Sequence, residues 1–538
     1  MPFDRIIYFG DSLTDSDEFF NLSSQLTVLP LPSAFFDYDG QFSNGDVYAD
    51  IAPEILGIGA DESVNYAVGG ARAVGVNPLG QILSGSALGV PNPDPELVAF
   101  DSNLTAQVQR FLADVPGLGD LSGSAASFLI GLNDFNGLAS TVDPDPANFD
   151  PVAFGAAAQQ LATDILTSTL TNAGTAAAAG VGTIILNTLP VGTFFPLTAG
   201  LPDFAKPLAD QLVADYNDAL IAQSATLAAT GATVRIVDME AMAAEVAADG
   251  QTFGFLNTTD SFYIGTGADP DFVDPDGEGP LPPVPVFQEN PAVAGLDDDQ
   301  FAFFDLLHPT TALHGVLGAF QAASIDSASV SFLSDGADRR RLTDEDDLGF
   351  GGAGDDLLFL RDGDDVAFGG LGDDRIHGLL GDDIASGGSG NDRVFGQAGS
   401  DVLAGNNGDD LLAGGADDDA LIDGLGSDFA WGGAGDDAFF YTDAALIGGT
   451  TGQDSDTFVG GSGTDTLYLV VSDAERADAQ AVIDAGITFN QFRFDDLGLR
   501  THGIEQVVLL DSRAEFHNVT VSAGLQNQLD EAEFWGLV

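Results

Sequence analysis

The second half of the chain repeats every nine residues, and this repeat constrains the possible fold more than any other feature. Ten nonapeptides run from residue 351 to residue 440 without insertion or deletion, beginning G-G-A-G-D-D-L-L-F. Their fourth place is glycine in nine of ten copies, with Asp417 as the exception, and their eighth place is apolar throughout, from Leu358 to Phe439. Glycine allows tight turns, and the apolar place marks a short strand. The register therefore predicts a parallel β-roll in which two nonapeptides form one coil.

The sixth place of every nonapeptide is aspartate, and an eleventh copy, G-G-S-G-T-D-T-L-Y, stands apart at 460–468. Carboxylate oxygens are hard ligands of the kind that Ca²⁺ prefers, so we expect these residues to bind calcium. The predicted ligands are Asp356, Asp365, Asp374, Asp383, Asp392, Asp401, Asp410, Asp419, Asp428, Asp437 and Asp465. Residues 351–440 carry 20 acidic residues and 3 arginines, so we expect little folded structure without the ion. A disordered glycine- and aspartate-rich linker is the alternative, and the strict register argues against it.

Over residues 351–468 the chain resembles the RTX family of proteins exported by type I secretion. That resemblance implies structural Ca²⁺, a C-terminal export signal and a type I exporter as partner. The last residues, D-E-A-E-F-W-G-L-V, have the acidic-then-apolar character of such signals. The first residues lack the basic segment and apolar run of a signal peptide. We therefore expect a secreted, extracellular protein exported without an N-terminal signal peptide.

The charge balance excludes some classes of partner. There are 84 acidic and 15 basic residues, giving a net charge of −69, which argues against binding to nucleic acid or, by electrostatics, to an anionic membrane. A generally acidic surface suited to salty water is an alternative explanation for part of this charge. With no cysteine, disulfides, thiolate nucleophiles and cysteine-bound metals are impossible.

The first part of the chain alternates short β-branched or aromatic runs with alanine-rich helical stretches. This pattern predicts an α/β domain with a mostly parallel sheet and helices on both of its faces. Strands are expected at 5–9, 127–130, 182–186 and 233–237. The expected order is an α/β domain over 1–333 with an irregular insertion at 266–298, a linker at 334–348, the roll at 349–468, and a C-terminal region with the export signal at 469–538. The insertion, rich in Asp, Pro and Gly, is either a lid or a floppy loop.

A candidate nucleophile follows the first predicted strand, in F-G-D-S-L-T-D at 9–15. A serine at the carboxyl end of a parallel strand lies where α/β enzymes place their chemistry, although Asp-Ser also occurs in ordinary helix caps. His308 comes three residues after Asp305 in D-L-L-H-P, and such a turn can bring the carboxylate to the imidazole and leave one nitrogen for Ser12. A helix cap is again the simpler alternative. His314 is expected to be a packing or hydrogen-bonding residue.

An oxyanion hole needs donors aimed at the developing charge, and three are available. They are the N–H of Ser12, a glycine N–H such as that of Gly70 in N-Y-A-V-G-G-A-R-A, and the side-chain amide of Asn133 in G-L-N-D. A simple turn explains the glycines, and a helix cap explains Asn133, about equally well.

In chain order, Ser12, Gly70, Asn133 and His308 match the S-G-N-H pattern of the GDSL-type, or SGNH, hydrolase family. The chain resembles the phospholipase, lecithinase and haemolysin-like branch of that family over about residues 3–325, including G-Q-F-S-N-G at 40–45, F-G-F at 253–255 and D-L-L-H-P-T-T-A-L-H. The resemblance implies a three-layer α/β/α fold and ester hydrolysis without a catalytic metal. Ser12 would be the nucleophile, His308 the base and Asp305 its partner, with Ser12, Gly70 and Asn133 forming the oxyanion hole.

The predicted function is a secreted esterase, lipase or phospholipase with an ester or lipid substrate and calcium-dependent folding of its repeats. The alternatives are a carbohydrate deacetylase, a short-chain arylesterase, or a calcium-binding adhesin or matrix protein with a secondary hydrolase domain. Two departures from the family pattern leave the substrate open: the chain reads D-S-D-E-F-F where a glycine-asparagine is usual, and it carries the insertion.

Overall fold

Two compact units make up the computed structural model, one formed by Met1–Ala247 and Asn257–Ile325, the other by Ala248–Leu256 and Asp326–Val538. The residues that the structure describes are 3–11, 13–15, 47–59, 62–68, 71–75, 101–139, 142, 145–190, 194, 201–253, 255, 257–261, 263–269, 284–289, 301–303, 310–327, 329–447, 455–472, 474–485, 491–511, 516 and 519–537. Within them, no helix has both the length and the apolar character needed to cross a membrane.

A five-stranded parallel sheet forms the centre of the first unit, in the order β2-β1-β3-β4-β5. Its strands are β1 (Arg5–Gly10), β2 (Ser63–Asn65), β3 (Ser124–Leu129), β4 (Thr183–Asn187) and β5 (Thr233–Val237). β1 and β3 are buried along almost their whole length; the apolar run I-I-Y-F of β1 predicts this, whereas β3 also buries Ser124 and Ser127. This strand order reverses direction between β1 and β3, and open α/β sheets bind ligands beside such a reversal, outside the carboxyl ends of the strands.

Helices alternate with these strands, which confirms the predicted α/β class. They are α1 (Tyr48–Ile55), α2 (Leu104–Leu118), α3 (Leu132–Ala139), α4 (Pro151–Ala178), α5 (Lys206–Ser224), α6 (Met239–Ala248) and α7 (Thr311–Asp326). Local capping fixes where the long ones begin: Asp150 accepts hydrogen bonds from the N–H groups of Val152 and Ala153 at the start of α4, and Asn103 accepts one from Ala106 at the start of α2.

The predicted irregular insertion at 266–298 is partly regular. Strands β7 (Tyr263–Asp269) and β8 (Val284–Glu289) pair in an antiparallel ladder, beside the short parallel pair of β6 (Asn257–Ser261) and β9 (Phe301–Phe303). The β-branched and aromatic residues of V-P-V-F-Q-E provide strand propensity that the Asp and Pro content of the segment obscures.

The second unit is a parallel β-roll of two nine-stranded sheets, as predicted. One sheet contains β10 (Ser329–Phe332), β12 (Asp347–Phe350), β14 (Val366–Leu371), β16 (Ile384–Ser389), β18 (Val402–Asn407), β20 (Ala420–Leu425), β22 (Ala438–Thr442), β24 (Thr466–Val470) and β27 (Gln506–Leu510). The other contains β11 (Arg339–Arg341), β13 (Leu357–Asp362), β15 (Arg375–Leu380), β17 (Arg393–Ala398), β19 (Leu411–Ala416), β21 (Phe429–Ala434), β23 (Thr457–Ser462), β26 (Leu499–His502) and β25 (Arg493–Phe494). Helices α8 (Arg476–Ala485) and α9 (Ala523–Phe534) follow.

Each strand of the regular roll pairs with the strand eighteen residues later, so two nonapeptides do form one coil; Leu358, for example, pairs with Ile376. The eighth-place residues from Leu358 to Phe439 all lie in one continuous buried cluster between the sheets. The fourth-place glycines have positive φ, and at Gly381 a Cβ atom would lie 1.8 Å from the carbonyl oxygen of Gly363 in the adjacent coil. Asp417, the exception in the sequence, takes the same left-handed region at φ 81°.

The roll begins before the predicted boundary at residue 349. β10 and β11 already belong to the sheets, so the segment 334–348, expected to be a linker, forms part of the first coils. Asp338 and Asp347 explain this, because each lies eighteen residues before a repeat aspartate and donates its backbone N–H to that aspartate. Their nonapeptides lack most of the glycines, which hides them in the sequence.

Two segments outside the nonapeptides pack onto this roll. Phe253, within the F-G-F motif, lies with its ring centroid 5.1 Å from that of Phe368. Trp535, next to the end of α9, is fully buried, with ring centroids 6.4 Å from Phe350 and 5.0 Å from Phe368. The predicted export-signal region therefore includes a helix and a buried aromatic anchor.

Candidate active site and cation-binding roll

The end of β1 is held in place by close backbone packing at Gly10. A Cβ atom there would lie 2.3 Å from Oγ1 of Thr14 and 2.7 Å from the carbonyl oxygen of Leu129, so only glycine fits. The Gln107 side chain makes two hydrogen bonds to the same residue: Gly10 N donates to Gln107 Oε1 at 3.0 Å, and Gln107 Nε2 donates to Gly10 O at 2.8 Å. The backbone that leads into the candidate nucleophile is therefore fixed.

The described residues before and after Ser12 are hydrogen-bonded to one another. The Asp11 carbonyl oxygen accepts hydrogen bonds from the N–H groups of Thr14 (3.1 Å) and Asp15 (3.0 Å), and Asp11 Oδ1 accepts one from Leu13 N at 3.3 Å. Ser12 itself lies outside the described residues. Its neighbours on both sides form a helix-like turn at the carboxyl end of β1, next to the reversal of strand order.

Asn133 lies in the first turn of α3, directly after β3, and it contacts the second predicted oxyanion segment. Its Nδ2 donates to the carbonyl oxygen of Ala71 at 3.1 Å. Ala71 follows Gly70, which lies outside the described residues. The next side chain, Asp134, accepts from Ala73 N at 2.7 Å, and burial raises its pKa to about 6. Sequence reasoning missed Asp134, although it stands beside Asn133 in G-L-N-D.

Asp305 and His308 also lie outside the described residues, but both ends of their segment are described. Thr310 N donates to the carbonyl oxygen of Ala302 at 3.1 Å, so the residue at the start of α7 lies next to β9. Thr310 Oγ1 accepts from Leu313 N at 3.3 Å and caps α7. The helix start that was the simpler alternative for His-Pro-Thr-Thr is thus present, and it is compatible with a catalytic histidine just before it.

Tyr48 links the segment after Ser12 to the helix after His308. Its hydroxyl lies 3.0 Å from Thr14 Oγ1, and its backbone N–H donates to His314 Nδ1 at 3.2 Å. Thr14, Tyr48 and His314 are all buried, so this bridge belongs to the interior. The predicted packing and hydrogen-bonding role of His314 is confirmed. Tyr48 was missed, because nothing in its local sequence signals the contact.

A buried polar network extends beneath this region. Gln321 Nε2 donates to Asn187 Oδ1 at 2.8 Å and to Ser127 Oγ at 3.2 Å, while its Oε1 accepts from the Tyr8 hydroxyl at 3.1 Å. Asn187 Nδ2 donates in turn to Ser127 Oγ at 2.9 Å. The network connects β1, β3 and β4 to α7, so it fixes the position of the helix that follows His308 relative to these strands.

In the roll, each of the eleven predicted calcium ligands has the same two-sided environment. One oxygen, Oδ1, accepts a hydrogen bond from the backbone N–H of the aspartate one coil earlier, as when Asp383 accepts from Asp365 at 3.0 Å. The other oxygen, Oδ2, is buried and has no hydrogen-bond partner among the described residues; this holds for Asp356, Asp365, Asp374, Asp383, Asp392, Asp401, Asp410, Asp419, Asp428, Asp437 and Asp465. A buried ionised oxygen without a partner is costly, and a bound cation removes that cost. The donor set fits Ca²⁺.

Electrostatics in the roll agree with this assignment. Burial raises the pKa of Asp365 to about 7, of Asp401 to about 8 and of Asp383 to about 9, and neighbouring aspartates add to the rise. The coils therefore disfavour the charged carboxylates unless positive charge is supplied.

Comparison with known proteins identifies a family for each half of the chain. The chain matches the GDSL-like Lipase/Acylhydrolase family over residues 6–319, and the RTX calcium-binding nonapeptide repeat over segments between 343 and 442 and again at 450–469. It is 25% identical over 347 residues to a phosphatidylcholine-sterol acyltransferase of Aeromonas hydrophila, an alignment covering 60% of this chain and 91% of that protein.

Proposed function

Because this chain belongs to the GDSL-like lipase and acylhydrolase family, we propose that it hydrolyses esters through a triad of Ser12, His308 and Asp305. It is a carboxylic ester hydrolase with calcium-binding repeats in its second unit. In the proposed reaction His308 takes the proton of Ser12 as the serine oxygen attacks the ester carbonyl, and Asp305 orients the imidazole and stabilises its positive charge. His308 then protonates the leaving alcohol, and water releases the acyl group by the same steps in reverse.

The oxyanion of each tetrahedral intermediate would be held by the backbone N–H groups of Ser12 and Gly70 and by the side-chain amide of Asn133. The hydrogen bond from Asn133 to Ala71 supports this assignment, since it connects the start of α3 to the residue after Gly70. Within the described part of the chain this bond uses one of the two amide hydrogens, which leaves the other for an oxyanion.

The observation that carries the triad proposal is the connection through Tyr48. This residue joins Thr14, two residues after Ser12, to His314, six residues after His308, by contacts of 3.0 and 3.2 Å. The two candidate catalytic segments, nearly 300 positions apart in sequence, therefore flank the same buried tyrosine.

For the substrate we propose the acyl ester of a phospholipid. The name of the Aeromonas relative indicates a phosphatidylcholine acyl donor and a sterol acceptor for that protein. Since the alignment covers 91% of it, a second candidate activity is transfer of the acyl group from Ser12 to a sterol hydroxyl in place of water. Both activities share the acyl-enzyme and differ only in the nucleophile that releases it.

We further propose that the enzyme acts outside the cell after export by a type I system, with Ca²⁺ bound only after export. The support is the family of its repeats and the eleven buried, unpartnered carboxylate oxygens, which disfavour a folded roll where calcium is scarce.

A Ser12→Ala substitution tests the nucleophile. Hydrolysis of p-nitrophenyl butyrate should fall about 10⁴-fold or more, because the members of a triad act as one unit. A fluorophosphonate probe should label the wild-type peptide that contains Ser12 and leave the variant unlabelled. Ser122→Ala, an exposed serine in the turn before β3, is the matched control and should retain full rate and labelling. A folded Ser12→Ala protein with more than a tenth of the wild-type rate would exclude Ser12.

Vesicles separate the two acyl acceptors. Phosphatidylcholine vesicles should yield free fatty acid, and vesicles that also contain cholesterol should yield sterol ester if transfer occurs. If fatty acid is released but no sterol ester forms, the transferase activity is ruled out. If the enzyme hydrolyses p-nitrophenyl butyrate rapidly but acts on neither kind of vesicle, the phospholipid substrate is ruled out.

A further inference from the structure

Asp423 occupies a place in the repeat that is normally glycine. It is the first residue of its nonapeptide, and that place is glycine in eight of the ten regular copies. The packing of the roll explains the preference: a Cβ atom at Gly414 would lie 2.2 Å from Asp419 Oδ2, and one at Gly432 would lie 2.1 Å from Asp437 Oδ2. A side chain at this place is therefore forced against the repeat aspartate five residues later.

The side chain of Asp423 adds a third carboxylate to its coil. The residue lies on β20 and is only 3% exposed, and its Oδ2 has no hydrogen-bond partner within the described part of the chain. Carboxylate oxygens of Asp423, Asp428 and Asp456 all lie within 4.8 Å of one another. Asp428 keeps the regular contact, with its Oδ1 accepting from Asp410 N at 2.8 Å, so its other oxygen remains directed to this cluster.

Such a grouping is unusual in the roll. Among the described residues, the other acidic group of comparable spacing, formed by Glu475, Asp478 and Asp496, has no buried member. The buried Oδ2 atoms of Asp423 and Asp428 are poorly solvated and, as anions, repel each other and Asp456, whereas a divalent cation turns both effects into binding energy.

We propose that Asp423, Asp428 and Asp456 together bind one Ca²⁺ ion, and bind it more tightly than the coils in which the first place is glycine. Calcium affinity rises with the number of charged ligands, and three carboxylates replace the smaller number available elsewhere. Ca²⁺ fits better than Mg²⁺, because Mg²⁺ keeps most of its water and is seldom held by protein carboxylates alone. The proposal does not depend on the catalytic assignment.

The site also has a structural consequence, because it lies where the repeat is interrupted. Asp428 N donates to Asp456 Oδ1 at 3.0 Å across 28 positions, where the regular ladder spans 18. The interval between these coils is therefore ten residues longer than elsewhere in the regular ladder. An ion held by Asp423 and Asp428 on one side and Asp456 on the other would fix the register of β23 across that interruption.

Calcium binding by the full-length protein tests the proposal. The protein is first freed of calcium and then titrated with Ca²⁺ in competition with a chromophoric calcium chelator. Asp423→Gly supplies the residue that most nonapeptides have, so the fold is expected to be retained, and Asp423→Asn removes only the charge. Both variants should lose one ion from the tightest class, or bind it at least about tenfold more weakly, with the weaker sites unchanged. Asp362→Asn, which removes an exposed charge from β13, should titrate like the wild type.

The same titration can overturn the proposal. If Asp423→Gly binds as many tight ions as the wild type and with the same affinity, Asp423 is not a ligand. Circular dichroism at saturating calcium establishes that the variants are folded, and if the glycine variant is not, Asp423→Asn decides the question in the same way. Loss of tight binding in Asp362→Asn as well would mean that net charge, and not this site, sets the affinity.

Discussion

Protons should partly replace calcium in folding the roll. In the absence of calcium at pH 8, the coils from β13 to β24 are expected to be unfolded, and lowering the pH to about 5 should restore part of their structure. The reason is that the folded coils bury carboxyl groups that titrate near 4 in an unfolded chain. Burial raises the pKa of Asp383 to about 9 and that of Asp428 to about 8, with the charges of Asp401 and Asp410, respectively, among the further causes.

The sign of the effect follows from proton linkage. An acid whose pKa is higher in the folded state binds more protons when folded, so the free energy of unfolding is greatest at low pH and falls as the pH rises from about 4 to about 9. A tenfold change in proton affinity corresponds to about 1.4 kcal/mol, so ionising Asp383 or Asp428 in the folded roll costs roughly 5–7 kcal/mol each. Two such groups already match the ~5–15 kcal/mol that stabilises an ordinary domain.

Hydrogen exchange measured by mass spectrometry on the full chain is the appropriate assay, because it reports on the roll separately from the five-stranded sheet. Labelling times are scaled to the intrinsic exchange rate at each pH. Peptides from β13 to β24 should exchange freely at pH 8 without calcium, gain protection near pH 5, and gain full protection when calcium is restored at pH 8, while peptides of β3 and β4 stay protected throughout. Strong protection of the roll at pH 8 without calcium, or its failure to increase on acidification, would refute the reasoning.

Two further substitutions test the packing of each unit. Gly408→Ala should lower the stability of the calcium-bound roll by more than about 2 kcal/mol, because the residue has φ 129° and a new Cβ atom would lie 1.7 Å from the Gly390 carbonyl oxygen. Thermal unfolding of the calcium-bound protein measures the change, and Gly155→Ala in the open surface of α4 is the control. An unchanged unfolding midpoint for Gly408→Ala would contradict the steric argument. Gln321→Leu should lower the stability of the first unit by about 2–3 kcal/mol, because it removes the hydrogen-bond partner of buried groups on Tyr8 and Asn187. The measurement is the urea concentration at which half of the ester hydrolysis is lost, and Gln159→Leu, at an exposed glutamine, should leave that midpoint unchanged. Equal midpoints for the two variants would exclude a stabilising network.

Much of the roll could be predicted because its geometry requires the same residue types at the same places. The clash at Gly381 and the eighth-place cluster make the pattern visible in the sequence. The pattern weakens at the start of the roll, where Asp338 and Asp347 keep the aspartate but their nonapeptides lack most of the glycines. It also fails at Asp423, because the role of that side chain depends on carboxylates that only the fold brings close to it.

The position of the catalytic site stays a prediction, whereas the α/β class of the first unit was predictable, since it follows from local runs of residues. The residues that hold the site were not. Tyr48 and Gln321 contact partners dozens to hundreds of positions away, and no local periodicity distinguishes them from other buried polar residues. The strand β8 was missed for the opposite reason, because a proline- and aspartate-rich neighbourhood outweighed its own propensity.

The burial of Trp535 against Phe350 and Phe368 changes how the roll should come apart. A stack of identical coils behaves as a one-dimensional array, in which each unit depends on its nearest neighbours and melting starts at both ends. Here Trp535, which lies beyond the repeats and next to the end of α9, packs onto coils at the beginning of the stack, so one end of the array is capped. The first coils are thereby covered by a segment from outside the repeats, and they should fray less readily than the coils at the opposite end of the stack.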